Sequence, residues 1–246
     1  MVRQFWGQRL PVALVLVLAL LLVAACGTGL VIGSGNSMTE EREIAGVEGV
    51  VLSFVGDLRI TQGDEEKLVI TADDNMMPLI TTEVRNGVLT IGSKSTVGMQ
   101  TTTRLQYDLT VRDLNSVRLM GAGNASMEGL ETDNLALGLA GAGNLSIQNV
   151  DAAGIDATLS GLGNMEISGA TARLAVELTG AGNFSGGDLR SGAADVRITG
   201  LGNATVWAVE TLDAAITGAG NIDYYGDPAV TQAVSGLGRI AGKGDK

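Results

Sequence analysis

The sequence predicts an all-β chain wound as a parallel β-helix, a solenoid of about 18–20 residues per coil. The first observation behind this is a phrase, Gly-x-Gly-Asn, repeated down the second half of the chain. It begins at Gly121, Gly141, Gly161, Gly180, Gly200 and Gly218, and a seventh copy at Gly236 carries Arg239 in place of asparagine. The steps between first glycines are 20, 20, 19, 20, 18 and 18 residues. The second observation is alternation around each phrase. Two residues before it stand Leu119, Leu139, Leu159, Leu178, Ile198, Ile216 and Val234; four before it stand Val117, Leu137, Ala157, Val176, Val196, Ala214 and Gln232. Beyond it Leu145 and Ile147 flank Ser146, and Met165 and Ile167 flank Glu166. Apolar residues at every second place make a strand with one buried face, whereas a helix needs three- and four-residue spacing. The third observation is composition: eight aromatics against 36 glycines suit thin, flat coils.

Taken in order, the chain opens with a leader. Residues 1–25 carry Arg3 and Arg9, then an apolar run from Pro11 to Ala25. Val23-Ala24-Ala25-Cys26 resembles a bacterial lipobox, whose cysteine is lipidated and becomes the mature N-terminus. Fifteen apolar residues fall short of the ~20 that span a bilayer, although Leu30-Val31-Ile32 leaves an uncleaved anchor as the alternative. Cys26 is the sole cysteine, which suits lipidation better than a disulfide or a metal site. The chain is therefore expected to be exported, lipid-anchored at Cys26 to the cell membrane or an outer membrane, with its body in the extracytoplasmic space.

Residues 26–45, rich in Gly, Ser, Thr and Glu, read as a tether. Residues 46–115 read as an irregular half of the solenoid. In it Val50 through Ile60 aligns with Leu137 through Ile147, which puts Asp57 in the asparagine slot and Phe54 in the first glycine slot. Gly63–Glu66 is a turn signal, Lys67–Thr71 and Gln106–Val111 are strands, and Asn86-Gly87 inside Thr81–Ile91 is a hairpin signal. Residues 116–246 hold the regular coils.

Each bend must turn sharply with neighbouring coils only ~4.8 Å away, which glycine tolerates and a Cβ does not. Asn124, Asn144, Asn164, Asn183, Asn203 and Asn221 follow these glycines. They are expected to stack as an internal ladder of amides closing the turn; the other reading is a polar stripe that meets a ligand.

The chain resembles the putative auto-transporter adhesin, head GIN domain family over roughly residues 40–240. The resemblance rests on Ile44–Val50, Gly56–Gly63, Ala72–Asn75, Asn86–Ile91, the Gly-x-Gly-Asn coils and Tyr224-Tyr225-Gly226-Asp227-Pro228. It implies a right-handed parallel β-helix behind a lipoprotein or secretion signal, and it carries no catalytic residues.

Chemistry is bounded mainly by what is missing. The chain has no histidine, which excludes a Ser-His-Asp triad, a Cys-His pair and a His-ligated metal. Removing residues 1–25, with two arginines and no acid, takes the formal charge from −11 to −11 − 2 = −13, a surface that repels nucleic acid. Glu166 and Asp223 sit on the outer strand face and read as solvated. Asp73-Asp74-Asn75 with Asp64 and Glu65 offers oxygen ligands for calcium, but without the nine-residue calcium repeat. Sequons at Asn124, Asn144, Asn183 and Asn203 read as by-products of the bend. Trp207, Tyr224 and Tyr225 read as packing or capping before a sugar platform. No cofactor is expected. The favoured function is a non-enzymatic cell-envelope lipoprotein that binds an envelope polysaccharide or a surface protein. The alternative is a polysaccharide-active enzyme, which an acidic groove would favour and a uniform Ser/Thr face would not.

Overall fold

The computed structural model describes residues 30–95 and 98–246; the expected leader over residues 1–25 and Cys26 lie outside the described residues. Strand makes up 72% and helix 1%, stacked as parallel coils of a β-solenoid of about six turns. Alternation that fits only strands leaves the backbone to be satisfied by neighbouring coils.

In chain order come β1 (Leu30–Ile32), β2 (Ser37–Arg42), β3 (Gly49–Leu52), β4 (Gly56–Gln62) and β5 (Lys67–Asp73). A 3-10 turn at Met77–Leu79 leads to β6 (Ile80–Arg85) and β7 (Val88–Ser93). Then follow β8 (Gly98–Gln100), β9 (Gln106–Val111) and β10 (Ser116–Leu119). The regular coils are β11 (Ala122–Leu139), β12 (Ala142–Leu159), β13 (Leu162–Leu178), β14 (Asn183–Ile198) and β15 (Asn203–Ile216). β16 (Ala219–Tyr225), β17 (Ala229–Val234) and β18 (Leu237–Gly242) finish the stack.

Neighbouring coils are in register phrase on phrase: Asn124 pairs Asn144, Asn144 pairs Asn164, and Leu139, Leu159, Leu178, Ile198 and Ile216 form one column. That column is 0–1% exposed. Each regular coil is longer and more bent than two strands joined by one glycine turn. In β11 the buried side chains are Ala125 and Met127, then Leu130, then Leu135, Leu137 and Leu139. The alternation changes phase twice, so a third short run lies between the two expected ones. Gly129 (φ 75°), Asn149 (φ 57°) and Gly169 (φ 130°) take the first of these corners with positive φ.

The irregular half follows the expected registers but not the expected order in space. Asp57 pairs Asn124 and Gly56 pairs Gly123, while Val50 and Leu52 pair Val117 and Leu119. On its other side, however, the β3–β4 coil lies on β7 and β9. The coil that comes first in the chain is therefore inserted above strands made later. The hairpin forms as expected, β6 against β7 antiparallel, with Asn86 (φ 50°) and Gly87 (φ 77°) supplying the two positive-φ residues of its turn.

The tether expected over residues 26–45 is corrected for its described part. β1 pairs β8 in parallel, and β2 lies antiparallel along β5 from Leu68 to Asp73. Between them, Gly33-Ser34-Gly35-Asn36 is held by the Asp73–Asn75 loop. The buried Asp73 carboxylate accepts the backbone N–H groups of Gly35 (2.8 Å), Thr102 (3.0 Å) and Thr103 (3.2 Å). Ser34 N donates to Asn75 Oδ1 at 3.0 Å, and Asn75 Nδ2 donates to the Ile32 carbonyl at 2.8 Å. Burial alone would raise the Asp73 pKa, but these donors hold it below the ordinary value. The Asp73–Asn75 groups considered for calcium thus fasten the N-terminal segment, without Asp64 or Glu65, and among the described residues no group of three acids or cysteines converges on a metal position.

Candidate functional site

The glycine bends build the most regular surface of the molecule. A Cβ on Gly141 would stand 1.8 Å from the Gly121 carbonyl oxygen, and one on Gly143 1.6 Å from that of Gly123. Only bare backbone fits, so the coils close up and Ala142 N and Leu162 N donate to the carbonyls of Gly121 and Gly141 at 3.0 Å. Three rows of side chains then stand along this edge, one residue per coil.

The asparagine row is a continuous ladder. Asn144 Nδ2 donates to Asn124 Oδ1 at 3.0 Å, Asn164 to Asn144 at 3.1 Å, and Asn183, Asn203 and Asn221 each to the rung below at 3.0 Å. It is not internal, which corrects the buried ladder expected from sequence. Asn124 through Asn203 are exposed and Asn221 is half-buried. Strand parity accounts for this, because Ala125, Leu145, Met165 and Phe184 point inward and their chain neighbours must point out.

Asp57 fixes the direction of the ladder. A carboxylate only accepts, so Asn124 presents its NH2 to Asp57 Oδ1 (2.8 Å), and every higher rung inherits that sense. Arg104 holds the other oxygen, Nη2 at 3.0 Å. Slight burial works to raise the Asp57 pKa, but the Asn124 hydrogen bond and the Arg104 charge lower it overall. At the far end Arg239 takes the next rung above Asn221. The stacked amide dipoles point their N–H end at an anion and their C=O end toward a cation, the charge arrangement that a helix dipole favours. Each amide spends one hydrogen on the rung below and keeps the second for solvent or a ligand.

Beside the ladder runs a hydroxyl row, Ser160, Thr179, Thr199, Thr217 and Ser235, all exposed. Between the two stands the x of each phrase, where Leu162 is 66%, Leu201 69% and Leu237 81% exposed, alternating with Ala181 and Ala219. Sequence reasoning passed over this apolar ridge, though its signal was the leucine at every second coil.

The other sequence candidates are placed elsewhere. Asp223 is paired with Lys243 (3.1 Å) and Arg239 (3.6 Å), and Glu166 is exposed. Trp207 and Tyr225 are neighbours in register under the Lys246 ammonium, 5.9 and 5.2 Å from their ring centres, which makes them a packed cap. A groove lined by Glu48, Asp113, Glu131, Asp133 and Asp151 does exist at another corner. All five carboxylates are exposed, and none of them forms an ion pair among the described residues. Nothing desolvates one of them, as a proton-donating acid requires.

A stacked parallel solenoid carrying a repetitive exposed edge defines the class: a β-helical module. The particular family follows from comparison. The family model for the putative auto-transporter adhesin, head GIN domain matches residues 48–228, and the chain belongs to that family. A putative adhesin from Bacteroides fragilis superposes with TM-score 0.84 at 27% identity, over 86% of this chain and 99% of that one. A putative lipid binding protein and a putative adhesin, both from Parabacteroides distasonis, share the fold with TM-scores 0.72 and 0.68. They are 24% and 22% identical, each over 87% of this chain, and 99% and 100% of their own chains are covered. Comparison with the curated proteins gives no match.

Proposed function

We propose that the chain is a non-enzymatic, adhesin-like lipoprotein that is anchored through acylated Cys26 and binds an extended envelope polysaccharide along the glycine-bend edge. The observation that carries this reading is the register of three exposed rows at coil spacing. Over the four coils from Ser160 to Asn221, a polymer laid along the edge meets a spare amide hydrogen, an apolar side chain and a hydroxyl at each ~4.8 Å step. Sugar rings offer both hydroxyls and apolar faces, so the mixed rows suit them. The formal charge of −11 favours an uncharged polymer over an acidic one.

A glycan and cell-wall binding screen with the full chain in detergent tests the reading, with Leu162→Lys/Leu201→Lys as the comparison. Both leucines are exposed, so the pair should keep the wild-type melting midpoint and lose capture. Equal capture by the two proteins would remove the edge from the site. Release of new reducing or unsaturated sugar ends would instead support the enzyme.

A further inference from the structure

The two ends of the solenoid are finished differently. At the N-terminal end the outermost strands are β2 and β6, and both carry charge. Arg42 pairs Glu40 (2.8 Å), Lys67 of β5 pairs Glu41 of β2 (2.7 Å), and Arg85 pairs Glu83 (2.6 Å). Charged edges of this kind block strand addition. At the other end β17 is, among the described residues, the last strand on its face and bonded only to β15, and it reads Ala-Val-Thr-Gln-Ala-Val without a charge or proline. All six residues are exposed. The apolar columns that are covered at Leu212 and Ile216 run out into solvent at Val230 (37%) and Val234 (46%).

We propose that β17 is a homotypic edge, to which the β17 of a second copy of this chain adds antiparallel about a twofold axis at Gln232. The backbone carries the geometry. Ser235 N donates down to the Ile216 carbonyl at 2.9 Å. By strand alternation the N–H and C=O groups of Val230, Gln232 and Val234 therefore point up, at the open edge. These are also the inward-facing residues, stacked on Leu212, Ala214 and Ile216. Pairing Gln232 with its own symmetry mate places Val230 opposite Val234 and Thr231 opposite Ala233. Every inward side chain then meets an inward side chain, and roughly six backbone hydrogen bonds form. The apolar column continues into the second copy.

The same arrangement explains a residue that the solenoid alone does not. Gln232 is the one polar member of the column Val117, Leu137, Ala157, Val176, Val196, Ala214, Gln232. On the axis its amide faces an identical amide, which can both donate and accept. A foreign strand could use the same hydrogen bonds. The symmetry of Val-Thr-Gln-Ala-Val about Gln232, however, matches this strand to itself, as an isologous contact requires. An uncharged contact also lets two acidic bodies meet.

Cysteine trapping with the full chain in detergent tests this. In an antiparallel hydrogen-bonded pair the Cα atoms lie ~5.5 Å apart, within disulfide reach. Gln232→Cys should give a disulfide-linked dimer under mild oxidation. Thr231→Cys, whose mate is Ala233, should not, and the wild-type chain reports any background from Cys26. Gln232→Lys should keep the melting midpoint of the wild type and lose the dimer in light scattering. Equal cross-linking of the two cysteine variants, or a monomeric mass for the wild type at every concentration, overturns the proposal. So does a dimer that survives Gln232→Lys.

Discussion

Leu178 ends β13 with its side chain buried and Thr179, the next residue, is exposed, and single residues of this solenoid are read by that parity. Leu159, one coil below Leu178, is 1% exposed with column partners above and below. Leu159→Ala should lower unfolding free energy by about 2–5 kcal/mol, a large share of a marginal stability. Thr179→Ala should change it by less than about 0.5 kcal/mol, and urea titration of the two variants measures the contrast. The ladder asks for a gentler test because water covers it. Asn124→Asp sets two acceptor-only carboxylates against each other at the pinned end. Their repulsion raises the folded pKa of the pair, so the melting midpoint should fall most near pH 7 and recover as acid returns a proton to one of them. Asp57 in the native chain behaves oppositely. Its folded pKa lies below the ordinary 3.8, so its stabilisation is full above that value and is lost as pH falls through the folded one. A midpoint difference for Asn124→Asp that does not shrink toward pH 4 would mean the rung is not in contact with Asp57.

At the scale of elements, the regular coils were legible because every repeat states its own register. Leu139 and Leu159 occupy the same place in two phrases, and a one-place slip would turn both out. The ladder itself was legible from the repeated asparagine, but its outward face was not drawn from the sequence, although Asn144 shares parity with Ser146 and must point out with it. The tether was not. Ser37–Arg42 holds one apolar residue, Met38, because β2 covers no core and joins β5 through its backbone. Hydrophobic periodicity cannot report a strand that buries nothing. Nor could the sequence place β3 and β4 above β7 and β9, because the choice among equivalent parallel partners is made by long-range pairing. These unread elements give a prediction. Asp73→Asn puts an amide where three backbone N–H groups need an acceptor. It should lower the melting midpoint and raise amide exchange first at Gly35, Thr102 and Thr103. Uniform exchange across the molecule would show that Asp73 is not a local fastening. A chain cut at residue 40 should aggregate, since it uncovers most of the β5 edge.

For the whole molecule, the fastening of residues 33–36 decides which end the proposed Cys26 anchor would hold at a membrane. Leu30 opens β1, four residues after Cys26, and the 33–36 segment is held at the Asp73 loop beside β2 and β5, at the charged, closed end of the stack. A lipid on Cys26 therefore brings that end to the bilayer. About six coils at ~4.8 Å carry the β17 edge some ~30 Å outward. The glycine-bend edge runs the length between, exposed along its side. Two measurements check this arrangement together. Cys26→Ser should lose labelling by a palmitate analogue and leave the membrane fraction. In vesicles holding the acylated chain, a spin label on Met38 should be broadened by lipid-borne relaxation agents, while one on Leu237 should not. If Cys26→Ser kept its label and its membrane fraction, the anchor would lie elsewhere. If Leu237 were broadened as strongly as Met38, the solenoid would lie flat along the bilayer and the β17 edge would not be held away from it.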